Sequence, residues 1–521
     1  MEEVDYPIYY IALAIILASI TYGMIWSNKV LTVLSVGIFF YLCLKLTSRK
    51  FLLIIIIFYL IQLVICSNYY ILKINQNINN QIFTIVENKG YYYLAESKGR
   101  LFRLNNLNES MSPKERIKVS GVYRKDKDFE KGILGQINVN SHTKLKEDFI
   151  RKLYKLKENL YEKLSKNIGS RKAGLVMSIS LGYKEELSDE DDADMSEIGM
   201  IHAISVSGLH VGIIFVVIKK LIKKTEYSLI ITGLYVILTG AAFSSIRAFI
   251  MLSICNLALK FRKNNNSLSS FLISAIIILI IKPYAIFSLG FQLSYMAVLG
   301  LLLFSKWINR KLFLFPKFIR SNIAVSLSAQ IFTLPIIILH FNKVSILSII
   351  ANLFLDKIIF LIIIIGNSLL FLVNLEYVFN FLCFVLIKIV KLMDYIIDLT
   401  LGLFEGQIYG GYIIATLYII MLISFFFIYN GNKKFWLFPM ISFIVFSIYV
   451  YSPILRVEYY EGEGVLISYR GEISFVAENK RMIVSNIKNK YGAENIYFED
   501  DNDILYGRVI IKEGRVFIKG I

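Results

Sequence analysis

Residues that build disulfide frameworks and metal centres are scarce in this chain. It has 521 residues, of which only 4 are cysteine, 4 histidine and 7 proline. Cys43, Cys66, Cys255 and Cys383 all fall inside apolar runs. None lies in a polar stretch where an oxidising compartment would support a disulfide, so they read as small buried hydrophobes. No third ligand lies near the pair His202 and His210, which argues against a metal; no cofactor is expected. The phosphate-binding Gly-x4-Gly-Lys-Ser/Thr signature is missing, so energy for any work must come from outside the chain. The N-terminus lacks a short apolar run followed by a small-residue cleavage site, and the first span is expected to be retained.

What the chain has in abundance is apolar sequence. It is 56% hydrophobic with mean hydropathy +0.60. Runs such as 51–65, 271–281 and 346–372 are too long and too numerous for a soluble core. The expected fold is a polytopic α-helical membrane protein with broken helices, a small external β-barrel inserted after the third span, and a short external C-terminal β tail. Spans are expected at 7–26, 30–47 and 51–69. Further spans follow at 199–219, 227–243, 247–261, 268–282, 287–307, 320–341, 345–374, 376–404, 411–430 and 434–452. The short basic clusters, Arg49/Lys50, Lys219 to Lys224, Lys260 to Lys263, Lys306 to Arg320 and Lys433/Lys434, should stay cytoplasmic. With the N-terminus inside and strict alternation of spans, every cluster does so. Residues 70–198 and 455–521 are then outside the cell membrane. The net charge of +18 arises from these loops and from the external domain.

Residues 70–145 alternate apolar and polar positions in short runs (81–86, 91–95, 101–104, 117–123, 133–139) separated by turn formers, as a small β-domain requires. Arg100, Arg103, Arg124 and Lys125 are interleaved with Phe102 and Tyr123. Cations for phosphates and rings for bases are the ingredients of single-strand DNA binding on an oligonucleotide-binding (OB) barrel. A solvated lysine-rich surface over core tyrosines would carry the same residues. Residues 146–168 read as an amphipathic helix whose stripe (Phe149, Leu153, Leu156, Leu160, Leu164) lies on membrane lipid or packs on the barrel. The acidic stretch 185–197 lacks calcium-loop spacing and reads as a solvated loop.

Polar groups inside the spans are the candidate functional residues, because they normally face a bundle interior or a watery pathway. His202 and Ser205 share a helix face, as do Ser207 and His210, and Gly208 beside them would let another helix approach. Arg247 falls between two half-length spans. At a helix centre an arginine costs about 2.5–3.5 kcal/mol on insertion scales, so it either meets a partner or cavity or snorkels to the interface. Broken helices at mid-membrane are typical of substrate pathways, where a cation would contact passing phosphates. Gln292, Ser294, Gln330 and Asn352 either line such a pathway or join helices. A further stripe, Lys388, Lys391, Asp394 and Asp398, makes its helix amphipathic, with the polar side toward a channel or the interface.

Five stretches in order carry a resemblance. They are Gly199-Met-Ile-His-Ala-Ile-Ser-Val-Ser-Gly-Leu-His-Val211, Ser244-Ser-Ile-Arg-Ala-Phe-Ile-Met251, and Pro283 followed by Gly290-Phe-Gln-Leu-Ser294. Then come Ser328-Ala-Gln330 with Leu334-Pro335, and His340-Phe341 ahead of Ala351-Asn-Leu353. Together, over about residues 172–375, they resemble the ComEC-type competence family of DNA-uptake channels. The resemblance implies a pore passing single-stranded DNA into the cytoplasm, working with a surface DNA receptor and cytosolic single-strand-binding proteins; a cytoplasmic helicase or the proton gradient would supply the energy, and whether the protein is an oligomer stays open. Its domains would be 1–69 (N-terminal spans), 70–145 (OB-like), 146–198 (helix and acidic loop), 199–454 (channel) and 455–521 (tail). Asp356-Lys357 departs from the family, where an apolar residue and a proline are expected. Many members end in a metallo-β-lactamase-like nuclease. Here the tail keeps only a strand and Glu461-Gly-Glu-Gly464, without metal ligands, so no catalytic residue is expected and a separate nuclease is implied. Two rival readings stay open, a transporter for another anionic polymer or solute, and an intramembrane serine hydrolase using Ser207 with His202 or His210.

Overall fold

A computed structural model describes residues 7–25, 28–71, 75–107, 109–204, 206–261, 266–341, 343–345, 348–403, 407–409, 412–429, 431, 433–450, 456–460, 464–469, 472–477, 495–498, 508–512 and 515–519. Helices α1 (Pro7–Met24), α2 (Lys29–Leu46) and α3 (Arg49–Tyr70) precede five strands, β1 (Asn77–Asn88), β2 (Tyr93–Ser97), β3 (Arg100–Asn105), β4 (Arg116–Arg124) and β5 (Ile133–Lys144). Helices α4 (Phe149–Ile168), α5 (Ser170–Leu181), α6 (Asp189–Glu197) and α7 (Ile201–Ile204) lead into α8 (Gly208–Ile222), α9 (Thr225–Leu238), α10 (Phe243–Lys260), α11 (Ser267–Ile281), α12 (Leu289–Lys311) and α13 (Lys317–Phe341). Next come β6 (Lys343–Ser345), α14 (Ser348–Leu372), α15 (Glu376–Leu403), β7 (Gln407–Tyr409), α16 (Tyr412–Tyr429) and α17 (Leu437–Val450). The tail holds β8 (Arg456–Tyr460), β9 (Gly464–Tyr469), β10 (Glu472–Ala477), β11 (Asn495–Phe498), β12 (Arg508–Lys512) and β13 (Arg515–Lys519). Two compact units result. One contains residues 1–196, 200–298 and 354–397; the other contains 197–199, 299–353 and 398–521.

Among the described residues, seven helices are long and apolar enough to cross a membrane: α1, α2, α3, α10, α12, α13 and the Ala351–Leu372 part of α14. This is a multi-pass membrane protein. Polar side chains inside the bundle join helices through hydrogen bonds to side chains and to backbone carbonyls. The Gln62 amide of α3 donates to Ser19 Oγ of α1 and to the Leu279 carbonyl of α11, each at 3.0 Å. Six of the thirteen expected crossings fall outside the span-length set, and four of them (227–243, 268–282, 411–430 and 434–452) are shorter apolar helices. The segment 199–219 is not one helix but α7, a break and α8. The segment 376–404 forms α15, which is outside the span-length apolar set because charges recur along it.

The five strands close a barrel in the order β1-β2-β3-β5-β4, with β3 and β5 parallel, an OB-like arrangement. Its core contains Phe83, Ile85, Phe102, Leu104, Ile117 and Ile137. The barrel is seated on the end of α3. Tyr69 Oη donates to the Gly132 carbonyl at 2.9 Å and Tyr70 Oη to that of Phe129 at 2.8 Å. In return Arg100 and Lys127 donate to the carbonyls of Asn68 and Tyr70, each at 2.6 Å, placing cations at the negative end of the helix. Gly132 has φ +69°, and a Cβ there would lie 2.3 Å from the Tyr284 ring, so only glycine fits this seat.

Helix α4 forms where expected and buries the C-terminal part of the expected stripe, but not its N-terminal part. Phe149 and Leu156 are exposed, whereas Arg151, Tyr154, Lys157, Leu160, Leu164 and Ile168 are buried. Arg151 bonds Glu158 at 2.9 Å and the Pro113 carbonyl at 3.2 Å, and Tyr154 bonds Glu185. The acidic stretch is not a solvated loop either. It folds into α6, and Asp191, 4% exposed, accepts from Arg171 at 2.6 Å, which also reaches Asp394 at 3.2 Å. In the tail, β8 to β11 form a four-stranded sheet, with β11 parallel to β10, and β12 and β13 form a hairpin. The glycine run 461–463 lies outside the described residues.

Lys157 is 2% exposed, and its ammonium lies 5.0 Å above the Tyr154 ring. Burial pulls its pKa down to about 8, and Lys114 pushes the same way while Glu185 opposes it. Between that value and the ordinary lysine range the unfolded chain binds the extra proton, so this group's contribution to stability rises with pH. Lys157→Met should therefore stabilise the protein at pH 7, by up to about 3 kcal/mol. That advantage over wild type should fade by about pH 10. Paired thermal-unfolding curves of the two proteins in detergent across that range check both statements.

Candidate substrate pathway

The break between α7 and α8 organises the polar residues of the bundle. Ser207 is the N-cap of α8 and forms a capping box with His210. The Ser207 backbone N–H donates to His210 Nδ1 at 3.1 Å, and Ser207 Oγ lies 3.0 Å from the same nitrogen. Nδ1 accepts a backbone N–H, so it carries no proton, and Nε2–H donates to the Ile179 carbonyl at 2.8 Å. His210 is 1% exposed and fixed at both nitrogens. The broken backbone leaves the Val206 carbonyl without a helical partner, and Ser244 and Ser245 of α10 supply it at 2.8 and 3.0 Å.

Arg247 lies one turn further along α10, within a span-length helix and not between two half-length ones. It does not snorkel. Its residue is 7% exposed, Nε donates to Ser294 Oγ at 2.8 Å, and the guanidinium lies 5.9 Å from the Tyr295 ring centroid. Gly208 makes room for it, because a Cβ at that position would come within 2.9 Å of Arg247 Nη2. Tyr295 is held in turn by Ser274 at 2.9 Å and by stacking on Phe291. Among the described residues Arg247 forms no ion pair, and no Asp or Glu occurs between Glu226 and Asp356.

Of the residues expected from sequence, Ser207, His210, Arg247 and Ser294 are thus brought together around Gly208. Others serve elsewhere. Ser205 lies outside the described residues, and His202 is exposed on α7, which is separate from the helix carrying His210. Gln292 donates to the Ile286 carbonyl at 2.9 Å and braces the turn before α12. Gln330 and Asn352 belong to the second unit, where Asn352 donates to Ser326 at 3.3 Å and its buried Oδ1 has no partner among the described residues.

On the barrel, four of the six expected DNA contacts have structural duties. Phe102 is in the core against Phe83, because a register shift between Leu101 and Arg103 turns two successive residues inward. Arg103 is paired with Asp126 and Asp128 at 3.0 Å each, Arg100 caps α3, and Tyr123 Oη donates to the Leu134 carbonyl at 3.0 Å. Arg124 and Lys125 are exposed.

Sequence reasoning missed α5, whose residues Ala173 to Leu181 are all buried. The Ser180 carbonyl accepts from Tyr235 Oη at 3.0 Å and from Asn367 Nδ2 at 3.2 Å. Asn367, isolated in an apolar run, was the available signal. Tyr235 and Asn367 lie near the C-terminal ends of α9 and α14, so those ends share one level. Strict alternation of spans puts them on opposite sides of the membrane. The external placement of 455–521, which rests on that alternation, therefore does not follow.

Residues 179–434 match the competence protein family. The chain is 29% identical over 218 residues to ComE operon protein 3 of Bacillus subtilis, covering 40% of this chain and 27% of that protein. It is also 29% identical over 115 residues to the uncharacterized MG316 homolog of Mycoplasma pneumoniae, covering 21% of this chain and 30% of that protein. The chain thus spans under a third of the length of either relative. No solved structure matches it. The match to the competence protein family thus falls on the membrane domain at residues 179–434, with its broken α7–α8 segment and the serines and arginine of α10.

Proposed function

We propose that this protein passes single-stranded DNA across the cell membrane into the cytoplasm during natural transformation. The observation that carries the reading is Arg247, a buried guanidinium bonded to a hydroxyl and an aromatic face but to no carboxylate. A cation in that state retains attraction for an anion moving past it. The lack of acidic residues over 227–355 supports the same reading, since carboxylates along the route would repel phosphate. On the barrel, exposed Arg124 and Lys125 remain as the strand-binding cations. A surface receptor, a cytoplasmic helicase and a separate nuclease complete the process, and residues 70–198 face outward.

A transporter of another polyanion would use the same cation. The hydrolase reading draws on the 3.0 Å Ser207–His210 contact. Against it, Nδ1 is occupied by the backbone of Ser207 itself, and Nε2 faces a carbonyl where an orienting carboxylate belongs.

Labelled double-stranded DNA given to competent cells tests the reading. Loss of the gene should leave DNA bound outside and remove nuclease-protected single strands from the cytoplasm. Arg247→Gln should lower uptake by about 10- to 100-fold, the weight of one hydrogen-bonded charge, while Arg247→Lys retains part of it. Unchanged cytoplasmic DNA in the deletion strain overturns the proposal and favours the other polyanion.

Purified full-length protein should bind a fluorescent oligothymidylate with a salt dependence set by its phosphate contacts. Arg124→Ala with Lys125→Ala should reduce the log–log salt slope by about 1 to 2. Phe102→Ala should instead cost about 3–5 kcal/mol of stability and leave the slope of the folded fraction unchanged.

A further inference from the structure

A groove of about 340 Å³ opens between the C-terminal part of α12 and the N-terminal part of α13. Ser305, Lys306, Asn309 and Arg310 line it from α12, their spacing placing them on one face, and Ser321, Ala324 and Val325 line it from α13. It holds no carboxylate. Ser321 donates its proton to the Phe318 carbonyl at 3.0 Å, which leaves Lys306, Arg310, Ser305 and the Asn309 amide as donors facing the groove. Next to Ser321, Arg320 has a buried Nε with no partner among the described residues.

The surroundings of this cationic groove are apolar. Val325 in its wall and Leu303 one turn away are each 51% exposed, and Trp307, Phe313, Leu314, Phe315 and Phe318 are exposed around the charged end. Both helices are span-length, so the groove sits where hydrocarbon gives way to water. Basic pockets between membrane helices at that depth take anionic headgroups.

We infer that the groove is a binding site for an anionic phospholipid. Lys306 and Arg310 hold the phosphate, Asn309 adds a hydrogen bond, and an acyl chain runs along Val325 and Leu303. Specificity follows from what the groove lacks, since the ammonium of a zwitterionic lipid meets no carboxylate there. A nucleic-acid backbone would press its polar sugars against the exposed Leu303 and Val325, which favours lipid as the occupant. The site is independent of the residues assigned to the DNA pathway.

The test uses full-length protein in a neutral detergent, titrated with short-chain phosphatidylglycerol and followed by native mass spectrometry. Saturable binding of the anionic lipid should exceed that of the matching phosphatidylcholine by about tenfold or more, as charge-assisted contacts allow. Lys306→Gln with Arg310→Gln should remove the preference. Asn309→Asp, nearly isosteric, should weaken phosphatidylglycerol by a similar factor by placing a carboxylate in the groove, and it serves if the double variant fails to fold. Equal binding of the two lipids overturns the inference, as does retained preference in a folded variant. Displacement of the lipid by inorganic phosphate or an oligothymidylate at equal concentration overturns it too, by reassigning the groove to phosphate in general.

Discussion

The last carbonyls of α5 have no partners within their own helix, and three side chains from three other helices supply them. His210 of α8 takes Ile179, while Tyr235 of α9 and Asn367 of α14 converge on Ser180. A buried carbonyl left without a donor costs about 1–3 kcal/mol, and more in hydrocarbon. Each of these helices is therefore held at one level against the others. Gly366 strengthens the constraint, because a Cβ there would lie 2.6 Å from that of Ser180. The helix break follows from it. With His210 fixed to Ile179 and to the backbone of Ser207, α8 begins at Gly208 and presents that glycine to α10.

The placement of Arg247 depends on this arrangement in turn. Its guanidinium needs the space over Gly208, the hydroxyl of Ser294 and the face of Tyr295 together. A charge so placed is stabilised by dipoles and by a ring quadrupole, neither of which cancels it. A carboxylate would satisfy the arginine better and leave it with nothing to offer an anion.

The parts of the fold that were legible in sequence are those with a strong local period. Alternation located β1 to β5 because each strand has one face in a small core. The short β11 was not anticipated, being four residues without a marked alternation. Periodicity failed where ion pairing overrode hydrophobicity. The segment of α4 is legible as a helix, yet Arg151 turns inward because Glu115 and Glu158 lie on that side, while Phe149 and Leu156 stay exposed. For the pathway, Ser207, His210, Arg247 and Ser294 were visible as polar groups where polarity is expensive. Their partners were backbone carbonyls, which have no sequence signature, so α5 went unread. Phe102 shows the converse, since the shift in strand register that buries its ring leaves no mark on composition.

The seat of the barrel on α3 has a consequence for how the barrel domain can be studied. Arg100 and Lys127 are at once barrel residues and the cap of a membrane helix, and Gly132 receives the ring of Tyr284 from the turn before α12. Excising the barrel would expose the end of α3 and uncover that turn in the same stroke. A truncated protein that fails would not reveal whether the barrel had handled a ligand or had only kept the bundle closed. Separating the two needs surface substitutions on an intact barrel, because here the accessory domain is also part of the scaffold.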